Sequence, residues 1–366
     1  MNSILITIPS LQGLGGVANY YKIVLPFLRK RILFINHFEM GSFKGNNSII
    51  HHLTDQLFFH RCLKKNIYLV HINPSLNLKS FIRDALFILQ AKNRKLPVIV
   101  FFHGWNNTFA QYIYSYFLRL FRYTYGQADA FIVLASDFKK TLRSWGIIAP
   151  IYLQTTAVDP SLFDGFDVER TILNFNDNKP LRILFLARIE KAKGVFETVD
   201  AVKYLVDQGL QVNLSIAGDG PALQHLQSYV QNLGLPAGTI SFLGYVRDKD
   251  KAAAFIGHDI YCLPSYSEGM PVSVLEALAF GMPVITCPVG GLVDIFQDGK
   301  MGALVPPNNA QAIAEKIQAF ASDREAMARA AKFNHEYAKE HLMAPKVAEN
   351  LLEIYRKTLE SRADGR

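Results

Sequence analysis

Glu268 and Glu276 are separated by seven residues, and Gly269, Met270, Pro271 and Val272 lie between them. Ile260–Leu263, ahead of the pair, reads as a short buried strand, and residues 264–269 read as a turn. Pro271 suits the first turn of a helix, where its missing N–H would be unpaired in any residue. That helix runs to about Phe280 and stops at Gly281. A strand, a loop and a helix in this order aim free backbone N–H groups at whatever sits above the strand end. Two carboxylates beside a ring of donors suit a ligand with several hydroxyls and a phosphate. The plainer alternative is a solvated loop carboxylate and a glutamate on a helix face.

Cations fall at a similar place earlier in the chain. Arg188 follows a strand expected at Leu181–Ala187, and Lys193 comes five residues later, just ahead of Gly194 and a helix. A strand end, two cations and a helix N-terminus make a clamp for a diphosphate, or else an exposed charged run. Gly218-Asp219-Gly220-Pro221 forms a tight turn at the next strand end, able to cradle part of a nucleotide. Gly290 and Gly291 follow a strand at Pro283–Cys287 and leave room for close backbone approach. In the first half, Gly13, Gly15 and Gly16 precede a helix over 17–28, and His103 ends a strand over 97–102. A histidine there is either a ligand contact or a satisfied structural residue. No G-x-G-x-x-G with an acid some twenty residues on is present, so a nicotinamide site is not supported.

The elements that carry these residues alternate. Short strands at 3–9, 32–36, 67–72, 97–102, 129–134 and 151–155 are separated by helical periodicity, and a second series begins at Leu181. It continues through strands at 211–217, 240–243, 260–263, 283–287 and 303–305. Such alternation implies an α/β fold of two parallel-sheet domains facing a central cleft. The expected division is a domain over 1–165, a polar linker over 166–179, a second domain over 180–338, and a helical tail over 339–366 that crosses back to the first.

Charge is uneven between the halves. Residues 1–165 hold 18 Lys and Arg against 7 Asp and Glu, whereas residues 166–366 hold 21 against 24. A basic, aromatic first half suggests an anionic partner: a membrane surface, a lipid-linked phosphate or nucleic acid. Residues 108–125 repeat Phe and Tyr at helical spacing, as one helix packed on the core alone, or partly on the core and partly on a membrane or lipid acceptor. No run reaches the length of a membrane span, and no basic leader precedes the first strand, so a cytoplasmic protein is expected. Cys62, Cys262 and Cys287 lack metal-ligand spacing.

Together these pieces resemble the glycosyl transferases group 1 family, also called glycosyltransferase family 4, whose members are retaining enzymes of GT-B architecture. The resemblance rests on Gly13-Leu14-Gly15-Gly16, His103-Gly104, Arg188 with Lys193, Gly218-Asp219-Gly220-Pro221, and above all Glu268-Gly269-Met270-Pro271 with Glu276. Gly290-Gly291, Asp298-Gly299 and Gly302 resemble the end of its donor domain, with Asp294 where the family often has Glu. The resemblance implies two Rossmann-like domains, the first for the acceptor and the second for a nucleotide-sugar, most often a UDP-sugar. Glu276 would hold the ribose, and Arg188 and Lys193 the diphosphate. Glu268 would touch the sugar, and Gly218 and the backbone of Gly269, Met270, Pro271 and Val272 would meet the sugar and phosphate. Gly15 and Gly16 would approach the diphosphate, and His103 the sugar or leaving group.

The implied activity is hexosyl transfer to a glycan or polyprenyl-linked acceptor in polysaccharide or glycolipid assembly, near an anionic membrane. No Asp-x-Asp stands in a site-like turn, so a metal-held diphosphate is not implied. Two other readings stand beside it: a nucleotide-sugar epimerase of the same architecture, and a non-catalytic binder of sugar nucleotides or nucleic acid.

Overall fold

The computed structural model describes the chain except residues 1, 2, 14, 33, 41–47, 174, 176–178, 365 and 366, and except the side chains of 48–52 and 364. Leu14 of the first glycine turn and residues 174 and 176–178 of the expected linker therefore lie outside the described residues. The chain divides into two compact units, Met1–Ala157 with Ala344–Arg366, and Val158–Met343.

Unit 1 alternates strands and helices: β1 (Ser3–Pro9), α1 (Gly16–Arg31), β2 (Ile35–Met40), α2 (Ser48–Cys62), β3 (Ile67–Ile72), α3 (Leu78–Asn93) and β4 (Val98–Phe102). It continues through α4 (Asn107–Tyr112), a π-helical turn (Ile113–Phe117), α5 (Leu118–Thr124), β5 (Ala130–Val133), α6 (Ser136–Ser144) and β6 (Ile151–Leu153). The six strands are parallel, in the order β2-β1-β3-β4-β5-β6. Helices cover a parallel sheet on both faces, so its strands are apolar throughout. Accordingly Val98, Ile99, Val100, Phe101 and Phe102 are all buried.

Unit 2 holds α7 (Val168–Leu173), β7 (Leu181–Leu186), α8 (Val195–Asp207), β8 (Val212–Ala217), α9 (Leu223–Asn232), β9 (Ile240–Gly244) and α10 (Asp248–Ile256). It continues with β10 (Ile260–Leu263), α11 (Val272–Ala279), β11 (Val284–Thr286), α12 (Leu292–Ile295), β12 (Gly302–Leu304), α13 (Ala310–Ser322) and α14 (Arg324–His341). Its sheet, ordered β12-β11-β10-β7-β8-β9, is again parallel. The last helix, α15 (Ala344–Asp364), belongs to unit 1 and packs on α1.

Three expectations change. Residues 158–165, expected in the first domain, and 166–173, expected in the linker, belong to unit 2: Phe163 and Phe166 pack on Phe280 at the end of α11, with ring centroids 4.3 and 5.0 Å away. Pro271 is the residue before α11 rather than part of its first turn. The aromatic helix over 108–125 is interrupted by the π-helical turn, where Phe117 leaves helical geometry at φ −121°, ψ 11°. Inward, Ile113, Phe121 and Tyr125 are buried, with Phe81 of α3 stacked on Phe121 and Tyr125. Outward, Tyr112, Tyr114, Tyr116 and Tyr123 are exposed.

Candidate active site

In unit 2 the chain builds outward from β7 through β8 to β9, then returns to β10 and builds the other way. The strand order therefore reverses between β7 and β10, and open α/β sheets take their ligands beyond the strand ends at such a point. The loops after β7 and β10 meet there. Lys193 Nζ lies 2.7 Å from Glu268 Oε1, with both side chains mostly buried. Tyr266 N–H donates to Ala192 O at 2.9 Å. The Tyr261 hydroxyl lies 2.8 Å from Leu186 O and 2.7 Å from Ser273 Oγ. Having one proton, it donates to the carbonyl and accepts from the serine, joining β7 to β10 and α11.

Glycines let these loops close on one another. A Cβ on Gly194, at φ +76°, would stand 2.4 Å from Pro264 O, and one on Gly290, at φ +55°, would stand 2.3 Å from the carbonyls of Glu268 and Gly269. Gly291 N–H donates to Gly269 O at 2.7 Å. Gly218, at φ +143°, faces Ala187 O, 1.9 Å from where its Cβ would be. The room expected for a ligand at Gly290 is therefore filled by the Glu268–Gly269 backbone, and that at Gly218 by the end of the β7 loop. Both glycines act by seating loops, while their backbone stays at the strand ends.

The remaining charged residues divide. The Arg188 side chain is 68% exposed and pairs with Glu190 at 3.1 Å. Glu276 is 2% exposed on α11, and its Oε1 lies 2.5 Å from Lys251 Nζ. Its Oε2 is buried with no hydrogen-bond partner among the described residues. Burial pushes this carboxyl above the usual carboxylate range, and Lys251 pulls against that rise. The sequence does not single out Lys251, because Arg-Asp-Lys-Asp-Lys over 247–251 reads as a solvated run and α10 carries little apolar periodicity. Met270 is buried below the loop, and Pro271 leads into α11, which starts at Val272.

Unit 1 has its own reversal, between β1 and β3. Gly15 is extended, at φ −171°, ahead of α1. A Cβ on Gly15 or Gly16 would meet nothing within 4 Å, so the surrounding protein does not require glycine at either position. His103 follows β4. Its ring lies 3.7 Å from that of Phe101 and 4.8 Å from Tyr20. His103 Nε2 lies 3.1 Å from Asn73 Oδ1, which also accepts from the Tyr21 hydroxyl at 2.8 Å. An amide oxygen only accepts, so His103 carries its proton on Nε2 and leaves Nδ1 as an acceptor.

The chain of bonds extends to the C-terminal helix. Tyr355 of α15 lies 2.5 Å from His71 Nδ1, and His71 Nε2 lies 3.4 Å from the Tyr21 oxygen. Tyr355 to His71 to Tyr21 to Asn73 is thus one consistent run of donors and acceptors. Burial pushes His71 down to about 3 and, joined by the nearby His71, pushes His103 well below the usual imidazole range. Both rings are neutral at neutral pH.

Residues 167–337 match the family described as Glycosyl transferases group 1. The chain is 30% identical over 272 residues, 72% of its length, to the putative teichuronic acid biosynthesis glycosyltransferase TuaC of Bacillus subtilis, covering 60% of that protein. It is 25% identical over 262 residues, 70% of its length, to the putative colanic acid biosynthesis glycosyltransferase WcaL of Salmonella typhimurium, covering 61% of that protein. It thus spans less than two thirds of the length of either curated relative. Among solved structures, Anabaena HepE in complex with UDP and glucose superposes at TM-score 0.71 and 16% identity, over 96% of this chain and 99% of that one. The second unit carries the match to the glycosyl transferases group 1 family, and the two parallel-sheet units are those of the GT-B fold.

Proposed function

We propose that this chain is a retaining, family 4 glycosyltransferase that moves a hexosyl group from a nucleoside diphosphate sugar, most naturally UDP-linked, to a glycan or lipid-linked acceptor in polysaccharide assembly. Unit 2 takes the donor and unit 1 the acceptor, at the cytoplasmic side of a membrane. The observation that carries the reading is Glu276: a buried carboxylate oxygen without a donor is costly, and a pair of ribose hydroxyls is the kind of group that would satisfy it. Relatives named for colanic and teichuronic acid biosynthesis, and a fold neighbour holding UDP and glucose, support the substrate classes.

Each residue then has a task. Glu276 accepts from the ribose, with Lys251 keeping it ionised. Lys193 has three donors, so it can keep Glu268 while giving another N–H to the diphosphate. Arg188 exchanges an exposed pair with Glu190 for phosphate at little cost. Glu268, steadied by Lys193, accepts from sugar hydroxyls. The N–H groups at Gly269, Met270 and Val272, and the turn at Gly218, face the sugar and phosphate. In unit 1, Gly15 and Gly16 leave backbone open to a phosphate, and His103 offers Nδ1 to a sugar hydroxyl.

The bond from the anomeric carbon to the phosphate oxygen breaks as the acceptor oxygen bonds to the same face of that carbon. The acceptor proton passes to the departing phosphate, so no protein nucleophile is needed. Fixed cations favour the charge that develops on the leaving group. The test is a thermal-shift screen of nucleotide-sugars, because a ligand that binds only the folded state stabilises it. One UDP-sugar should raise the Tm, and Glu276→Ala should abolish that rise. Transfer unchanged in a Lys193→Ala, Glu268→Ala double variant would sink the assignment.

A further inference from the structure

Helices α2, α3 and α5 lie side by side in unit 1, with α3 in the middle. Their inner faces fill the core, where Phe59 of α2 and Phe87 of α3 have ring centroids 4.3 Å apart. Their outer faces carry large apolar side chains that nothing among the described residues covers. On α3, Leu78, Ile82 and Leu86 recur every fourth residue and are all exposed. On α2, Leu53 and Leu57 do the same, and exposed Arg61 continues that line. Beyond them Tyr112 at the end of α4 and Tyr116 in the π-helical turn are exposed, followed by Leu120 and Tyr123 on α5. Scattered single apolar residues are normal on a protein surface; three adjacent stripes are not.

The charge of the same region has one sign. Between Glu39 and Asp129 the chain has eleven Lys and Arg but only two carboxylates, Asp55 and Asp84. Both carboxylates are buried. The face therefore shows cations without a single exposed acid: Arg61 beside Leu57, Lys79 beside Leu78, and Arg119 between Tyr116 and Tyr123. Apolar side chains, tyrosines with an apolar ring and polar tip, and flanking cations are the composition of a surface that enters the headgroup layer of an anionic bilayer. A second copy of the same face is a poor occupant, because it would set cations against cations.

We infer that the outer face of α2, α3 and α4–α5 is a docking surface for an anionic membrane, with the Leu, Ile and Tyr side chains entering the acyl boundary and Arg61, Lys79 and Arg119 meeting lipid phosphates. This deepens the proposed reaction by naming where a lipid-linked acceptor is met. Its test is independent of transfer.

Purified full-length chain is sedimented with vesicles of phosphatidylcholine alone or mixed with phosphatidylglycerol, at low and high salt. The chain should follow the anionic vesicles at low salt, stay in solution with phosphatidylcholine alone, and be released by salt. Lys79→Glu and Arg119→Glu should each lower partitioning by about fivefold or more. Ile82→Ser, Leu86→Ser and Tyr116→Ser combined should abolish it, while Leu173→Ser, an exposed apolar residue of unit 2, should not. Circular dichroism and the donor-induced Tm shift verify that each variant is folded. The inference is overturned if the wild type ignores anionic vesicles at low salt, binds both vesicle types equally, or sediments unchanged with the substitutions in place. It is equally overturned if the wild type forms a dimer that the same substitutions dissolve. Vesicle binding without any donor-induced shift would leave this surface standing and sink the transferase reading instead.

Discussion

Glu276 sits in a helix whose neighbours Val274, Leu275, Ala277, Leu278 and Ala279 are all buried, so its charge depends on Lys251 alone among the described residues. Removing one partner of a buried pair leaves the other charge uncompensated, which typically costs about 3–5 kcal/mol. Lys251→Met should therefore destabilise the chain by about 3 kcal/mol at neutral pH and weaken donor binding, whereas Lys251→Arg should retain both. The pH dependence distinguishes charge from packing. The folded-state carboxyl is already raised above its unfolded value, and losing Lys251 raises it further. The folded state then binds more protons than the unfolded one between those two values, so stability falls as pH rises through that window. Below the ordinary carboxylate range the carboxyl is protonated in both states and the variant should approach wild type. Urea unfolding at acidic and neutral pH measures this, and a pH-independent loss would mean that Lys251 acts by packing.

The loops of unit 2 are held by glycines for reasons that differ from those in unit 1, and substitution should separate the two. Gly290→Ala puts a methyl group against two carbonyls and demands a left-handed backbone from alanine, so it should cost at least about 1–3 kcal/mol and erase the donor-induced Tm shift. Gly16→Ala meets open space in the first turn of α1, where alanine is favoured over glycine by about 0.5–1 kcal/mol. Its Tm should hold or rise while its transfer rate falls, because the methyl group meets none of the described residues and stands where a substrate would approach. A normal transfer rate in Gly16→Ala would remove that glycine from the site. Both glycine pairs look alike in the sequence, as small residues after a strand. What distinguishes Gly290 is the Glu268–Gly269 loop, which arrives from over twenty residues earlier.

At the scale of the molecule, the C-terminal helix closes unit 1. It pairs Glu349 with Arg31 of α1 at 3.4 Å, gives Val347 O to Gln154 at 2.9 Å, and sets Tyr355 on His71. The only two tryptophans, Trp105 and Trp145, are in unit 1, so their fluorescence reports on that unit by itself. A chain ending at Met343 should lose its tryptophan transition at lower urea than the full chain, while nucleotide-sugar still shifts the unfolding of unit 2 followed by circular dichroism. Coincident loss of both signals would show that the units do not unfold separately.

The sequence by itself determined the alternation of strands and helices, the parallel sheets that follow from it, and the positions of Arg188, Lys193, Gly218 and Glu268 after strand ends and of Glu276 on the helix that follows. Those features repeat along one element or stand at its end, and local periodicity and turn chemistry report them directly. Tertiary structure alone decided which of them touch. Lys193 meets Glu268 because strand order reverses between β7 and β10, and Lys251 reaches Glu276 because α10 returns the chain to that same strand. It also split the aromatic repeat of 108–125 into a buried stripe on Phe81 and an uncovered one, since a single extra residue in a π-helical turn re-aims every side chain around it. Contacts between distant segments depend on how the sheet is wound, and no spacing within a segment encodes that.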